Sequence, residues 1–269
     1  MTDLTSAADS FYRLHLGPEL LVLPNAWDGG SARMMQALGA RAIATTSSGV
    51  AWARGYPDGD QLPVEILVQT LRDIDRAVGL PISVDAESGY AETSRAAAQN
   101  ITRLMDAGAV GINIEDGHGA PEQLCQKIAA IRAAAERAGI DLFINARTDV
   151  FLKGFAPGDE VGEVCARARL YQDAGASGLF APGVTDAGMI AAIVQGVSLP
   201  VNVMARPGLP DHAQLARLGV RRLSAGGAIS QAAWGLSMRL ARGFLAGDVC
   251  DLYQGAASWA ELNAIMKAP

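Results

Sequence analysis

Two carboxylates placed two residues apart follow a short apolar run in the first third of the chain. Residues 81–84 have the length and β-branched content of a buried strand, and Asp85 and Glu87 follow directly. Because side chains alternate along a strand, both carboxylates are predicted to leave the same side. Two like charges at the end of a buried strand are costly unless a cation lies between them. Oxygen ligands of this kind favour Mg²⁺, which commonly keeps several of its waters.

Two further apolar runs also end in charged residues. Residues 110–114 lead into Glu115, and residues 142–146 lead into Arg147. In a parallel barrel the carboxyl ends of the strands build the active site, so these groups are predicted to meet there with Asp85 and Glu87. A set of strand-end salt bridges is the alternative interpretation of the same residues.

A turn rich in small hydroxyl residues is predicted at residues 45–50. Its backbone N–H groups, near Ser48 and Gly49, could bind a carboxylate as anion-binding nests do. An ordinary polar turn is the alternative for this segment. Asn202 is a polar residue in the apolar run 200–204, and it is expected to point into the same site.

The elements that would position these residues follow a repeated pattern. A helix end, a glycine and a new strand recur at Gly39, Gly108, Gly175 and Gly219. Eight candidate strands begin near residues 20, 42, 82, 110, 142, 178, 201 and 222, with helices predicted at 64–77, 92–106, 121–138, 162–173, 187–195 and 211–218. This alternation predicts an α/β fold, a (β/α)8 TIM-type barrel that occupies residues 1–269 as one domain. A doubly wound open sheet is the alternative, because counting units does not show closure.

Composition narrows the classes of partner. The formal net charge of −6 argues against a nucleic-acid surface, and the apolar runs are too short to span a membrane. No basic region precedes an apolar core at the N-terminus, so no secretory signal is expected. Three widely spaced cysteines favour a reduced, cytoplasmic setting over a disulfide framework or a zinc site.

Five motifs in a fixed order resemble the isocitrate lyase/phosphoenolpyruvate mutase superfamily. They are Ser48-Gly49-Val50, Gly55-Tyr56-Pro57-Asp58, residues 84–90, residues 111–116 and residues 145–149. The resemblance implies a barrel that holds Mg²⁺ through Asp58, Asp85, Glu87 and Glu115. It also implies a 2-oxo acid substrate, with its carboxylate on the amides near Ser48 and Gly49 and its oxygens facing Arg147. Because the ligands are hard oxygens, Mn²⁺ is expected to substitute.

The chain departs from the superfamily pattern in two places. Glu87 stands where aspartate is usual, and Glu115-Asp116 is followed only by a short segment before Pro121. The cysteine loop of the lyase branch and the long gating loop of the mutase branch are both missing. Cleavage of isocitrate or methylisocitrate and true phosphoenolpyruvate mutase activity are therefore disfavoured. His118 is the titratable side chain left in that segment, and it is a candidate proton donor or acceptor, with a solvated loop histidine as the alternative.

These observations predict a Mg²⁺-dependent carbon–carbon lyase or decarboxylase, such as one acting on oxaloacetate. Its substrate would be a small 2-oxo or 2-hydroxy (di)carboxylic acid, and the reaction would pass through an enolate. The alternatives are a catalytically retired barrel that binds a 2-oxo acid as a sensor or carrier, and a C–P bond hydrolase or mutase.

A C-terminal helical extension is predicted from about residue 229. The apolar residues of segment 229–245 cover more of a helix than one stripe against a barrel requires. The resemblance implies a homo-oligomer, a dimer of dimers in which this helix is swapped between subunits. The alternative is that the helix closes its own barrel as the eighth one.

Overall fold

The computed structural model describes residues 3–267 and contains one parallel sheet within that range. Its strands are β1 (Leu21–Leu23), β2 (Asn25–Ala26), β3 (Ile43–Thr45), β4 (Ile82–Asp85), β5 (Ala109–Glu115), β6 (Phe143–Arg147), β7 (Gly178–Phe180), β8 (Val201–Met204) and β9 (Arg222–Ser224). They begin close to the predicted positions, except that the first predicted strand is divided in two.

The sheet is a nearly closed barrel. From β2 round to β9 each strand pairs in parallel with the next along the chain, and β1 pairs with β9. Only Pro24 separates β1 from β2, so they are two halves of one strand, interrupted where proline lacks an N–H to donate. This pairing confirms the predicted barrel and excludes the doubly wound open sheet.

Helices follow most of the strands. They are α1 (Leu4–Leu16), α2 (Gly29–Ala37), α3 (Ser47–Ala53), α4 (Val64–Ala77), α5 (Ser94–Met105), α6 (Pro121–Ala138), α7 (Val150–Lys153), α8 (Glu160–Asp173), α9 (Ala187–Gly196), α10 (His212–Arg217), α11 (Ala228–Leu245) and α12 (Trp259–Lys267). A short 3₁₀ turn, Asp251–Tyr253, lies between the last two. Among the helices of residues 3–267, none has the combined length and apolar character needed to cross a membrane.

The segment predicted as a polar turn is partly helical. Strand β3 ends at Thr45, and α3 begins two residues later at Ser47. Its Val50 and Ala51 are fully buried, and a seven-residue helix with little intrinsic stability forms when tertiary packing covers such residues. The pattern of small hydroxyl residues therefore concealed a short helix.

Helix α1 closes the amino-terminal end of the barrel. It packs against β5 and β6, and the buried ring of Phe11 meets that of Phe143 edge-on at 5.6 Å. A Cβ atom on Gly111 would lie 2.6 Å from Cε1 of Phe11, so this close approach requires glycine in β5. The carboxyl ends of the strands are left as the accessible end of the barrel.

Helix α11 does not cover its own barrel. Ser230 is its one buried residue, whereas Trp234, Met238 and Phe244 are exposed. The alternative in which this helix closes the barrel as the eighth one is therefore wrong for the single chain. A groove of about 510 Å³ remains on the outside of the barrel, and its lining includes Val22, Met34, Leu38, His212, Leu223 and Ile229. Helix α12 returns to α2, where Nε of Arg33 donates to the carbonyl of Ile265 at 3.1 Å.

Candidate active site

Asp85 lies at the carboxyl end of β4 and is held by neighbouring backbone. Its Oδ2 accepts a hydrogen bond from the amide of Ser47 at 3.1 Å, and its own amide donates to Oγ1 of Thr45 at 2.8 Å. The first contact exists because α3 begins at Ser47, where the amides of the first turn have no partner within the helix. Sequence reasoning missed Ser47, because the helix start was not recognised.

Ser48 and Gly49 occupy the first turn of the same helix. Amides in the first turn of a helix have no acceptor within that helix, and Gly49 is buried. A Cβ on Gly49 would lie 2.7 Å from Cγ2 of Thr46 and 3.0 Å from Cβ of Trp27. Glycine is thus required here by close packing. The predicted role of Ser48 and Gly49 in substrate binding stays a prediction.

Glu87 is buried, and both of its carboxylate oxygens are engaged. Oε1 accepts from the hydroxyl of Tyr90 at 2.7 Å, and Oε2 accepts a short hydrogen bond from the amide of Asp60. Burial raises the pKa of Glu87 to about 7, although these two hydrogen bonds oppose that change. Through its hydrogen bond with the amide of Asp60, the side chain of Glu87 connects the end of β4 to the segment that follows α3.

Glu115 and Arg147 form an ion pair across neighbouring strand ends. They face each other in the register of β5 and β6, and Nη1 of Arg147 contacts Oε2 of Glu115. Asp149 takes the other edge of the guanidinium, accepting from Nε at 2.7 Å and from Nη2 at 3.1 Å. Burial raises the pKa of Glu115 to about 8 against the opposing charge of Arg147, and the charge of Asp85 adds to the increase. Asp85, Glu115 and Arg147 thus share one site.

Asp149 was missed in the sequence, although a signal for it was present. It stands two residues after Arg147, and Arg147 ends β6, so alternation predicts that the two side chains leave the same side. Together they form a fork-to-carboxylate contact, which fixes the plane of the guanidinium.

Asp116 points away from this site, on the opposite side from Glu115. Its Oδ1 accepts from the amide of Asp149 at 2.9 Å, and its Oδ2 accepts from Nη1 of Arg167 at 2.8 Å and from the hydroxyl of Tyr171 at 2.6 Å. Every oxygen of this buried carboxylate has a partner, as a buried charge requires. Asp116 therefore positions Asp149, which in turn orients Arg147.

A polar layer lies inside the barrel. Asn202 is 1% exposed and accepts from Oγ of Ser224 at 3.0 Å, so it faces the interior of the barrel. Arg222 is fully buried beside it, with Nη2 donating to Oδ1 of Asn113 at 3.3 Å. Burial lowers the pKa of Arg222 to about 10, while the charge of Asp85 opposes that change. The substrate contact predicted for Asn202 stays a prediction.

Two predicted residues lie on exposed connecting segments. Asp58 is exposed in the segment after α3, and His118 is exposed in the segment that joins β5 to α6. The His118 ring meets the ring of Phe155 edge-on, with 6.0 Å between the centroids. Neither side chain contacts Asp85, Glu115 or Arg147 in the described part of the chain, and their predicted roles stay predictions.

The donor set suits a hard divalent cation held partly by water. Within residues 3–267 no three His, Cys, Asp or Glu side chains converge as a metal cage. Mg²⁺ is, however, often bound through one or two carboxylates, with water and substrate completing its shell. Asp85 and Glu115 provide such carboxylates. Burial and, after it, the charge of Asp85 raise the pKa of Glu115, and a bound cation would offset both costs of ionising this carboxylate. The residues present therefore fit Mg²⁺ or Mn²⁺.

Comparison with known proteins agrees with the motifs. An uncharacterized protein of Mycobacterium tuberculosis is 36% identical over 219 residues, which cover 81% of each chain. Oxaloacetate decarboxylase of a Bradyrhizobium species is 32% identical over 180 residues, which are 63% of this chain and 59% of that protein.

Solved structures share the whole barrel. A provisionally named phosphonomutase from Burkholderia cenocepacia is 40% identical with a TM-score of 0.84, covering 89% of this chain and 99% of that one. A phosphonopyruvate hydrolase in complex with oxalate and Mg²⁺ has a TM-score of 0.83 over 98% of this chain and 95% of its own, and at 22% identity it supports the fold alone. The family profile described as phosphoenolpyruvate phosphomutase matches residues 11–245, and the chain therefore belongs to this family, within the phosphoenolpyruvate mutase/isocitrate lyase superfamily.

Proposed function

We propose that the protein is a Mg²⁺-dependent lyase or decarboxylase for a small 2-oxo or 2-hydroxy (di)carboxylic acid. The observation that carries this proposal is the meeting of Asp85, Glu115 and Arg147 at adjacent strand ends, beside the first turn of α3. The likeness to oxaloacetate decarboxylase favours oxaloacetate as the first substrate to test. A bound Mg²⁺ would supply Lewis-acid polarisation of the 2-oxo group, with Asp85 and Glu115 as its protein ligands.

The side chains of the site suit charge that develops on oxygen. In decarboxylation of oxaloacetate the bond between C3 and C4 breaks, CO₂ leaves, and the electron pair moves to C3 and the C2 oxygen as an enolate. Arg147 has five N–H groups, of which three are engaged by Glu115 and Asp149, so two remain to donate to the enolate oxygen. The first-turn amides of Ser48 and Gly49 would hold the C1 carboxylate. Protonation of C3 then gives pyruvate.

Turnover of a substrate panel tests this function. The panel contains oxaloacetate, an alkyl-substituted malate and phosphonopyruvate, each with Mg²⁺, with Mn²⁺ and with a chelator. We expect metal-dependent release of pyruvate or another 2-oxo acid from a carbon–carbon substrate. Turnover of phosphonopyruvate alone would favour the C–P alternative, in agreement with the name of the Burkholderia relative. Binding without product under every condition would favour the retired sensor or carrier.

His118→Gln tests whether His118 delivers the proton to C3. If His118 delivers the proton, kcat should fall about 100-fold with little change in substrate affinity, and one limb of the pH profile should disappear. Steady-state kinetics across pH on the wild type and the variant measures both effects. A near-normal kcat would instead assign protonation to solvent, which reaches this exposed segment.

We also propose that the chain assembles as a homo-oligomer, a dimer of dimers, through α11. The exposed apolar residues of this helix and the uncovered groove on the barrel are complementary in character. Light scattering on the full chain should give a mass several times that of the 28.0 kDa chain. The double variant Trp234→Glu, Met238→Glu should shift that mass downward, because two charges would enter the apolar contact.

Leu170→Glu is the matched control for this assembly prediction. Leu170 is also an exposed apolar helical residue, but it lies on α8, away from α11. A monomeric wild type at micromolar concentration would contradict the assembly. The absence of nucleic-acid and membrane partners and the cytoplasmic setting stay predictions.

A further inference from the structure

Three strained residues meet beside the proposed active site. Among residues 3–267 four non-glycine residues have positive φ, and three of them are Asp60 at 56°, Glu87 at 46° and Tyr90 at 51°. These three are joined to one another through the carboxylate of Glu87, as described above. Such backbone strain persists only where the surrounding structure enforces it, and it concentrates at functional sites.

The turn that carries Glu87 and Tyr90 is clamped by two helices. Nδ2 of Asn100, on α5, donates to the carbonyls of Gly89 at 3.1 Å and of Tyr90 at 3.0 Å. From α6, Nζ of Lys127 donates to the carbonyl of Ser88 at 2.7 Å. The turn is therefore held rigidly, and the Tyr90 hydroxyl is presented to Glu87 at a fixed position.

The segment that Glu87 contacts is less buried than the turn that carries Glu87 and has no regular secondary structure. Residues 57–61 are exposed, and they connect α3 to α4 without regular secondary structure. The amide of Asp60 donates to Glu87, across 27 residues of sequence. This segment carries Asp58, the residue that the superfamily resemblance places at the metal.

We infer that Glu87 is a positioning residue. The hydroxyl of Tyr90 orients the carboxylate of Glu87, and this carboxylate holds the segment 55–62 over the site through the amide of Asp60. Metal binding is left to Asp85 and Glu115. This inference deepens the proposed function and accounts for the departure from aspartate at position 87. A side chain one methylene shorter would not reach both the Asp60 amide and the Tyr90 hydroxyl, whereas the glutamate does so with one oxygen each.

Three variants separate this role from metal ligation. Glu87→Gln keeps the length of the side chain: its carbonyl can accept from the Asp60 amide and its NH₂ can donate to the Tyr90 oxygen, but an amide is a poor metal ligand. Glu87→Asp keeps the charge and shortens the reach. Tyr90→Phe removes the hydroxyl and keeps the ring. Tyr253→Phe, at an exposed position on the C-terminal segment, is the matched control.

The measurements are amide hydrogen exchange over residues 55–62 and Mn²⁺ affinity by calorimetry, both without substrate. We expect Glu87→Asp and Tyr90→Phe to speed exchange of this segment about tenfold, as the loss of a hydrogen bond to a charged group implies. Glu87→Gln should match the wild type in exchange and bind Mn²⁺ within about threefold of it. Thermal unfolding confirms that each variant is folded.

The opposite pattern would overturn the inference. If Glu87 ligates the metal directly, Glu87→Gln weakens Mn²⁺ binding tenfold or more, and Glu87→Asp retains it without faster exchange in residues 55–62. Exchange is measured without metal, so it decides the positioning role even if no substrate in the panel is turned over. Failure of the proposed function and failure of this inference are therefore distinguishable.

Discussion

Asp85→Asn is expected to lower kcat by about 10³-fold or more and to abolish the Mg²⁺-dependent rise in melting temperature. Asp85 is the carboxylate at the centre of the site, held by the Ser47 amide and close enough to perturb Glu115. Loss of its charge removes a hard oxygen ligand, and Lewis-acid assistance is worth several kcal/mol in the transition state. The fold should survive, because asparagine keeps a carbonyl that can accept from Ser47.

Steady-state kinetics and thermal unfolding with and without Mg²⁺ measure the two effects of this substitution. Asp173→Asn is the control, since Asp173 is exposed at the end of α8, which leads into the amino-terminal end of β7 and not into the carboxyl ends where the site lies. It should leave both quantities unchanged. An Asp85→Asn variant that still responds to Mg²⁺ as the wild type does would refute Asp85 as the anchor of the metal.

Arg147→Lys is expected to lower kcat/KM by about 10²- to 10³-fold although the charge is kept. The guanidinium of Arg147 contacts Glu115 with one edge and Asp149 with another, and it retains N–H groups for substrate. A lysine ammonium cannot reproduce this planar fork, so at most one of the carboxylates keeps its partner. A donor to a developing oxyanion is commonly worth 10²–10³ in rate.

The same substitution should also reduce stability. Glu115 and Asp149 are largely buried, and a buried carboxylate that loses its partner destabilises the fold by about 3–5 kcal/mol. Arg132→Lys is the matched control, because Arg132 bridges the Gly175 carbonyl and Ser177 on the outside of the barrel. We expect that control to lower the melting temperature with little change in kcat/KM. Near-normal turnover in Arg147→Lys would remove Arg147 from the reaction.

Local sequence determined the elements and the strand ends of this protein. The helices at 64–77 and 121–138 are found with the predicted bounds, since apolar periodicity, and in one of them Pro121 at the first turn, are local properties. The convergence of Asp85, Glu115 and Arg147 was also predictable. Each ends a strand, and parallel strands in a barrel bring their carboxyl ends to one face.

Only the tertiary structure decided which partner each side chain takes. Glu115 and Asp116 are adjacent, yet one pairs with Arg147 in the site and the other with Tyr171, 55 residues away on α8. Alternation along the strand predicts that the two side chains point to opposite sides of the sheet, but it does not predict which partner residues lie there. The engagement of both Glu87 oxygens likewise depends on Asp60, which the sequence offers no means of placing.

The end of the chain shows the same division. The apolar residues of α11 are evident in the sequence and predict that the helix has a partner. That the helix leaves its own barrel, with the groove lined by Val22, Leu38 and Ile229 uncovered, became apparent only in three dimensions. Apolar periodicity specifies how much surface a helix must bury, whereas the loop geometry after β9 sets the direction in which the helix runs. Contacts between residues distant in sequence therefore had to come from the fold.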